Sequence, residues 1–181
     1  MDYSELCEYY QKLDATTKRL EKTAIMTELL KNTSASELKQ VVYLLHGAVF
    51  PDWDERKLGV SSQIIVKALT TATGTDKDKV IGLWKKHGDL GLVAEELIKN
   101  RKQKTLHSEK LSVGKVFTNI EKLATLEGKG TVASKINLLS ELLGNASSLE
   151  ARYVVRTVLG TLRVGVAAGI LRDSIASAFN K

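Results

Sequence analysis

TELLKNTSASELKQVVYLLHG (27–47) and SELLGNASSLEARYVVRTVLG (140–160) are two versions of one pattern, laid over each other at a constant offset of 113. Glu28, Leu29, Leu30, Asn32, Ser34, Val41, Val42 and Gly47 recur as Glu141, Leu142, Leu143, Asn145, Ser147, Val154, Val155 and Gly160. The match resumes after a loop seven residues longer in the first copy, where LGVSSQIIVKAL (58–69) lies over VGVAAGILRDSI (164–175) at an offset of 106. Each copy reads as helix, helix, glycine-bearing loop, helix. The spacing predicts an all-α, multi-helix single domain over 1–181 with an internal pseudo-twofold repeat. Its halves cover about 15–73 and 128–179, around a helical middle section, 75–126.

Apolar residues recur at helical spacing beyond the repeat as well. Ala24, Met26, Leu29 and Leu30 form one stripe, and Leu38, Val41, Val42, Leu44 and Leu45 another. Further helices are expected over 61–73, 76–87, 90–100, 112–126, 133–143, 149–159 and 168–178. Thr75 with Asp78 resembles a capping box, Ser112, Thr131 and Ser147 stand as N-caps, and Gly74, Gly88, Gly144 and Gly160 as stops.

Composition narrows the partners. The 181 residues carry a formal charge of +6, with 43% hydrophobic and 27% charged residues and one proline. That balance suits a folded helical protein. The basic excess favours an anionic partner, nucleic acid ahead of membrane. No apolar run reaches the ~18 residues of a membrane span, and MDYSELCEYY at the start is no signal peptide. Cys7, the single cysteine, lies in an apolar helical pattern and reads as packed, consistent with a reducing interior such as cytoplasm or nucleoid.

The glycine loops carry the chemistry that the repeat suggests. A glycine beside a helix start lets another backbone approach, and the free amides there attract anions. A pseudo-twofold pair of such loops suits two antiparallel strands; the plainer reading makes the glycines helix C-caps and the duplication a packing device. Arg152 and Arg156 lie one turn apart on a helix, and Arg163 follows in the loop. With the amides near Gly165 and Ala167 they would make a phosphate-tracking surface, and Arg163 would suit a minor groove. Solvated helix charges, or an internal acid for Arg156, are the alternatives. Lys129 and Lys135 in GKGTVASK (128–135) sit at a helix start suited to a phosphate, without P-loop spacing. Lys99, Arg101, Lys102, Lys104, Lys110 and Lys115, with Glu109 the one acid among them, form a basic arm or merely solvated surface. His46, His87 and His107 lack metal-ligand spacing, and Trp53, near Asp52, Asp54 and Glu55, reads as a packing anchor rather than a base-stacking platform. No catalytic or metal site is expected.

LGVSSQIIVKAL (58–69), KKHGDLGLVAEE (85–96) and EARYVVRTVLGTLRVGVA (150–167) together resemble the N-terminal DNA-binding domain of ATP-dependent DNA ligases of the archaeal and eukaryotic replicative type. The likeness runs from about Leu20 to Phe179. It implies an all-helical domain that grips nicked duplex DNA across the minor groove through backbone contacts, without sequence preference, and helps close the protein into a ring. The family's groove motif falls on Gly160, Thr161, Leu162, Arg163, Gly165 and Ala167, its first-half partner on Leu58, Gly59 and Ser61, and a third loop on Gly88, Leu90 and Gly91. Several members carry a second basic residue where this chain has Thr161, which shifts the groove contact onto Arg163.

QKTLHSEKL (103–111) resembles the box with which archaeal members bind the sliding clamp, PCNA. Gln103 and Leu106 fit it, His107 stands where an aromatic is usual, and an ordinary surface loop is the alternative. Family members join ends through a lysine in a Lys-x-Asp-Gly motif, a string this chain lacks. The chain therefore reads as an excised domain, not an enzyme alone. ATP and Mg would belong to the catalytic domains of the same ligase. The rival reading is a helical protein-interaction module, a clamp adaptor without DNA affinity.

Overall fold

The computed structural model describes residues 1–101 and 109–180. Its ten helices are α1 (Tyr3–Asp14), α2 (Arg19–Asn32), α3 (Leu38–Leu45), α4 (Ser62–Thr73), α5 (Lys77–His87), α6 (Leu90–Lys99), α7 (Val113–Leu123), α8 (Thr131–Asn145), α9 (Ser148–Val158) and α10 (Ala168–Phe179). Among the described residues there is no strand. An isolated bridge, Asp2–Ser112, ties the N-terminus to the start of α7, with Tyr3 N–H donating to the Leu111 carbonyl at 2.7 Å.

Local chemistry sets several of the helix ends. The Ser61, Asp89 and Ser112 side chains each accept an amide of the following first turn. Ser147 and Glu150 form a full capping box on α9. Gly74 and Gly88 close α4 and α5 in the left-handed region, at φ 66° and 68°. Three expected signals differ. The cap of α5 is Asp76, whose carboxylate accepts from Asp78 N–H at 2.8 Å, so no capping box forms at Thr75. Thr131 is already helical, and its hydroxyl donates to the Gly128 carbonyl while Gly130 takes the cap position. Gly144 lies inside α8, which stops only where Ala146 turns extended.

The buried faces join elements far apart in sequence. In α1, Tyr3, Leu6, Cys7, Tyr10 and Leu13 form one buried stripe. The Tyr10 ring lies 4.8 Å from that of Tyr153 on α9, and its hydroxyl donates to the Leu44 carbonyl at 2.9 Å. The most extensive helix contact is α6 on α9, which binds the middle section to the second half. Next come α2 on α10 and α4 on α8. The two halves thus exchange partners: α10 and α8 of the second copy pack on α2 and α4 of the first. Side chains at matching positions close both seams. Thr27 donates to the Ser174 carbonyl at 3.4 Å and Ser140 to the Ala68 carbonyl at 3.3 Å. Thr27 and Ser140 are 113 apart, Ala68 and Ser174 106 apart, the offsets of the sequence repeat.

Candidate nucleic-acid interface

Two loops stand at the starts of α4 and α10. The longer-range geometry of the second is built by alternation. Leu162 and Val164 point inward, 6% and 2% exposed, and anchor the strand of chain between them. Arg163 and Gly165 are left on the outside. Gly47, the residue in register with Gly160, makes room for this: a Cβ there would stand 3.2 Å from the Leu162 Cβ. Thr161 N–H donates to the Arg156 carbonyl at 2.7 Å, fixing the turn off α9. Leu45, His46 and Gly47 on one side and Gly160 with 162–167 on the other line a concavity of about 450 Å³. Ala167 caps α10 without a side-chain bond to its first amides, which leaves them open to an anion.

The first loop follows the same plan. Leu58 and Val60 are half-buried, while Gly59 and Ser61 are exposed. Gly59 and Gly165 share a left-handed backbone, φ 59° and 65°. Lys57, exposed, stands at the offset of 106 from Arg163; the repeat alignment carried one step upstream points to it, and the reading of single motifs passes it over.

The arginines divide. Arg163 keeps 61% of its side chain exposed, with Nη1 3.6 Å from the Asp89 carboxylate. Arg152 and Arg156 do not join it in a phosphate-tracking surface. Both turn onto α6: Arg152 pairs with Glu95, and Arg156, 8% exposed, with Asp89 at 3.0 Å. A guanidinium beside a carboxylate in a closed seam stays there, because separating them would strand a buried charge. Asp89 is the hub. One of its carboxylate oxygens accepts the Gly91 and Leu92 amides at 2.7 and 3.2 Å, and the other takes both arginines. Burial works to raise its carboxyl. The Arg156 hydrogen bond and charge, with the two amides, outweigh that and hold it below the ordinary carboxylate range.

The third expected loop is an internal joint. Leu90 is buried, and Gly91 lies where a Cβ would meet the Arg152 carbonyl oxygen and the Arg156 Cγ, each at 2.8 Å. Its glycine serves the close approach of α6 to α9; only Gly88 of this group is exposed. Lys135 is corrected too. It is 7% exposed, and its ammonium donates to the Leu58 and Gly59 carbonyls at 2.7 and 3.3 Å, so Lys129 alone is exposed at the start of α8.

Other expectations resolve locally. Trp53 is 83% exposed, which overturns the packing anchor. Its turn is held from outside instead, by Asp54 N–H on the Pro51 carbonyl at 2.9 Å and by Arg56, which pairs with Asp54 and lies 4.1 Å over the Phe50 ring. His87 faces Glu96 at 2.6 Å, His46 lies 3.9 Å from Asp52, and Cys7 is buried. Within the basic arm, Arg101 donates to the Gly144 carbonyl and Lys115 pairs with Glu109. Lys102, Lys104 and the clamp-box residues Gln103, Leu106 and His107 lie outside the described residues. Among the described residues no helix is long and apolar enough to cross a membrane, and no three His, Cys, Asp or Glu side chains converge as metal ligands.

The described residues thus form a helical body that presents two matched glycine loops and an exposed arginine. Comparison with known proteins carries this further: the profile described as "DNA ligase N terminus" matches residues 2–176, and the chain belongs to that family. It is 45% identical over 177 residues to a DNA ligase of Methanothermobacter thermautotrophicus, covering 98% of this chain and 32% of that protein. A DNA ligase of Thermococcus fumicolans is 43% identical over 179 residues, and one of Archaeoglobus fulgidus 42% over 180, each with 99% of this chain and 32% of the relative covered. The chain spans about a third of the length of these relatives.

Proposed function

We propose that this chain grips duplex DNA for an ATP-dependent DNA ligase, holding the phosphate backbone and minor groove at a nick without reading sequence. The observation that carries the reading is the pair of loops, 57–61 and 160–167. Each presents an exposed glycine beside a helix start and an exposed cation, Lys57 or Arg163, at matching positions. Amides at a helix start and a projecting arginine suit phosphates and a narrow groove, and neither distinguishes one base from another. Two such loops on reciprocally packed halves suit the two strands of a duplex. The formal charge of +6 adds long-range attraction.

End joining itself belongs, on this reading, to catalytic domains of the same ligase, in an intracellular setting. ATP and Mg would act there. The donor sets of the described residues do not suit a metal, so no step of the chemistry is assigned to them. The sliding clamp is proposed as a further partner on the sequence of 103–111 alone.

Fluorescence anisotropy with labelled nicked duplex, intact duplex and single strand, each across a salt series, tests the proposal. Duplex binding is expected to weaken linearly in log salt, with a slope of about −0.9 for each phosphate neutralised. Arg163→Ala is expected to cost about 1–3 kcal/mol. No duplex binding at low salt would overturn the reading and leave a protein partner as the function.

A further inference from the structure

We infer that Lys22 and Lys135 are reciprocal positioning residues, each reaching from one half of the molecule to hold the glycine loop of the other. The inference rests on the reading of those loops as the DNA-facing elements. Lys22 is in the first half, on α2, and its ammonium donates to the Val164 carbonyl of the second-half loop. Lys135 is in the second half, on α8, and donates to the Leu58 and Gly59 carbonyls of the first-half loop. The two lysines are 113 apart and Leu58 and Val164 106 apart, so one contact is made twice by equivalent residues.

Both lysines are 7% exposed. Among the described residues no carboxylate pairs with either, although surface lysines such as Lys18 do find acids. A buried ammonium with no counter-ion is costly and is kept only where its hydrogen bonds are needed. Here they are. The residue after Leu58 and the residue after Val164 are the left-handed glycines, and such a turn leaves the preceding carbonyl without a helix or sheet partner. The lysine ends satisfy those oxygens from inside.

The glycines fit the same device. A Cβ at Gly165 would stand 2.5 Å from the Lys22 Nζ, and one at Gly59 2.6 Å from the Lys135 Nζ. The backbone angle favours glycine at both positions, and a side chain there would displace the lysine end from its carbonyl. Each ammonium also places positive charge directly behind the face offered to phosphate, where it attracts an anion without touching it.

Hydrogen exchange by mass spectrometry on the free chain tests the inference, alongside duplex anisotropy. Lys22→Met is expected to raise exchange in 159–167 by about tenfold or more, the loss of one hydrogen bond to a charged group, and leave 56–61 unchanged. Lys135→Met is expected to do the reverse. Each is expected to weaken binding of the nicked duplex by a similar factor while keeping helical content and one cooperative melt. Should a Met variant fail to fold, Gln at the same position, too short to reach the loop, reports in its place. Exchange that rises equally in both loops, or in neither, overturns the inference. So does loosening of the expected loop with duplex affinity unchanged. If the parent chain itself binds no duplex, the DNA reading fails, and the exchange pattern still decides whether the lysines position the loops.

Discussion

Arg163 is the one described non-glycine residue in the left-handed region, at φ 59°. An L side chain there costs roughly 1–2 kcal/mol, and such strain persists where the surroundings over-determine it, commonly at functional sites. The surroundings do so here. Leu162 and Val164 are locked into the core on either side, and Thr161 N–H is held by the Arg156 carbonyl, so the chain makes its turn at residue 163 between fixed points. The residue that bears the strain is also the exposed cation of the loop. Stability and binding therefore pull in opposite directions, and two substitutions separate them. Arg163→Ala loses the guanidinium and keeps the strain; Arg163→Gly loses the guanidinium and releases it. In urea melts the Gly variant should be more stable than the Ala variant by about 0.5–1 kcal/mol, after the extra chain entropy of glycine is deducted. Both should bind duplex DNA equally poorly. An Ala variant as stable as the Gly variant would show that no strain is held at this position.

At the scale of elements the seam between α6 and α9 decides the most. Gly91 brings the helices close, and Asp89 caps one helix while it neutralises Arg156 of the other. Because the folded state holds the Asp89 carboxyl below its ordinary value, the pair's stabilisation is fully present above the unfolded value, about pH 4. It is lost as the pH falls through the lower, folded value. Asp89→Asn strands the Arg156 guanidinium, 8% exposed, with only the Asp14 carboxylate left at 3.8 Å. A cost of about 3 kcal/mol is expected at pH 7, the low end for breaking a buried pair. The gap between parent and variant should hold from pH 7 down to about pH 4 and narrow below it, read from urea midpoints measured across that range. A gap independent of pH would mean that Asp89 acts through packing alone. The caps of this seam were half legible in sequence. Asp89 precedes an apolar helical run as an N-cap should, but its second role joins positions 67 residues apart, and no local pattern announces such a pair. For Arg152 and Arg156 the spacing shows that they share a face, not what the face meets; the internal acid weighed for Arg156 is Asp89, and Glu95 takes Arg152.

For the whole molecule, the repeat was the most legible feature and its consequence the least. Offsets of 113 and 106 are visible in the letters, and helix type follows from periodicity and capping residues that act within one turn. That the copies exchange partners, α2 onto α10 and α4 onto α8, depends on faces that meet only after folding. Lys22 and Lys135 could have been flagged by carrying the alignment five residues upstream of Thr27, where lysine lies over lysine; their burial could not. The exchange makes neither half a folding unit. Without α10, α2 loses the most extensive of its helix contacts, and without α8 so does α4. One cooperative transition is therefore expected. In a Trp53→Phe background, which removes the exposed indole, urea unfolding followed by far-UV circular dichroism and by fluorescence of Trp84 in the middle section should share one midpoint and one slope. Met26→Ala, emptying a wholly buried position on α2, should lower both curves together by about 2–5 kcal/mol. A fluorescence midpoint that stays in place while the helical signal shifts would mean that the middle section folds without the exchanged halves, and that the seam between α6 and α9 does not join them into one unit.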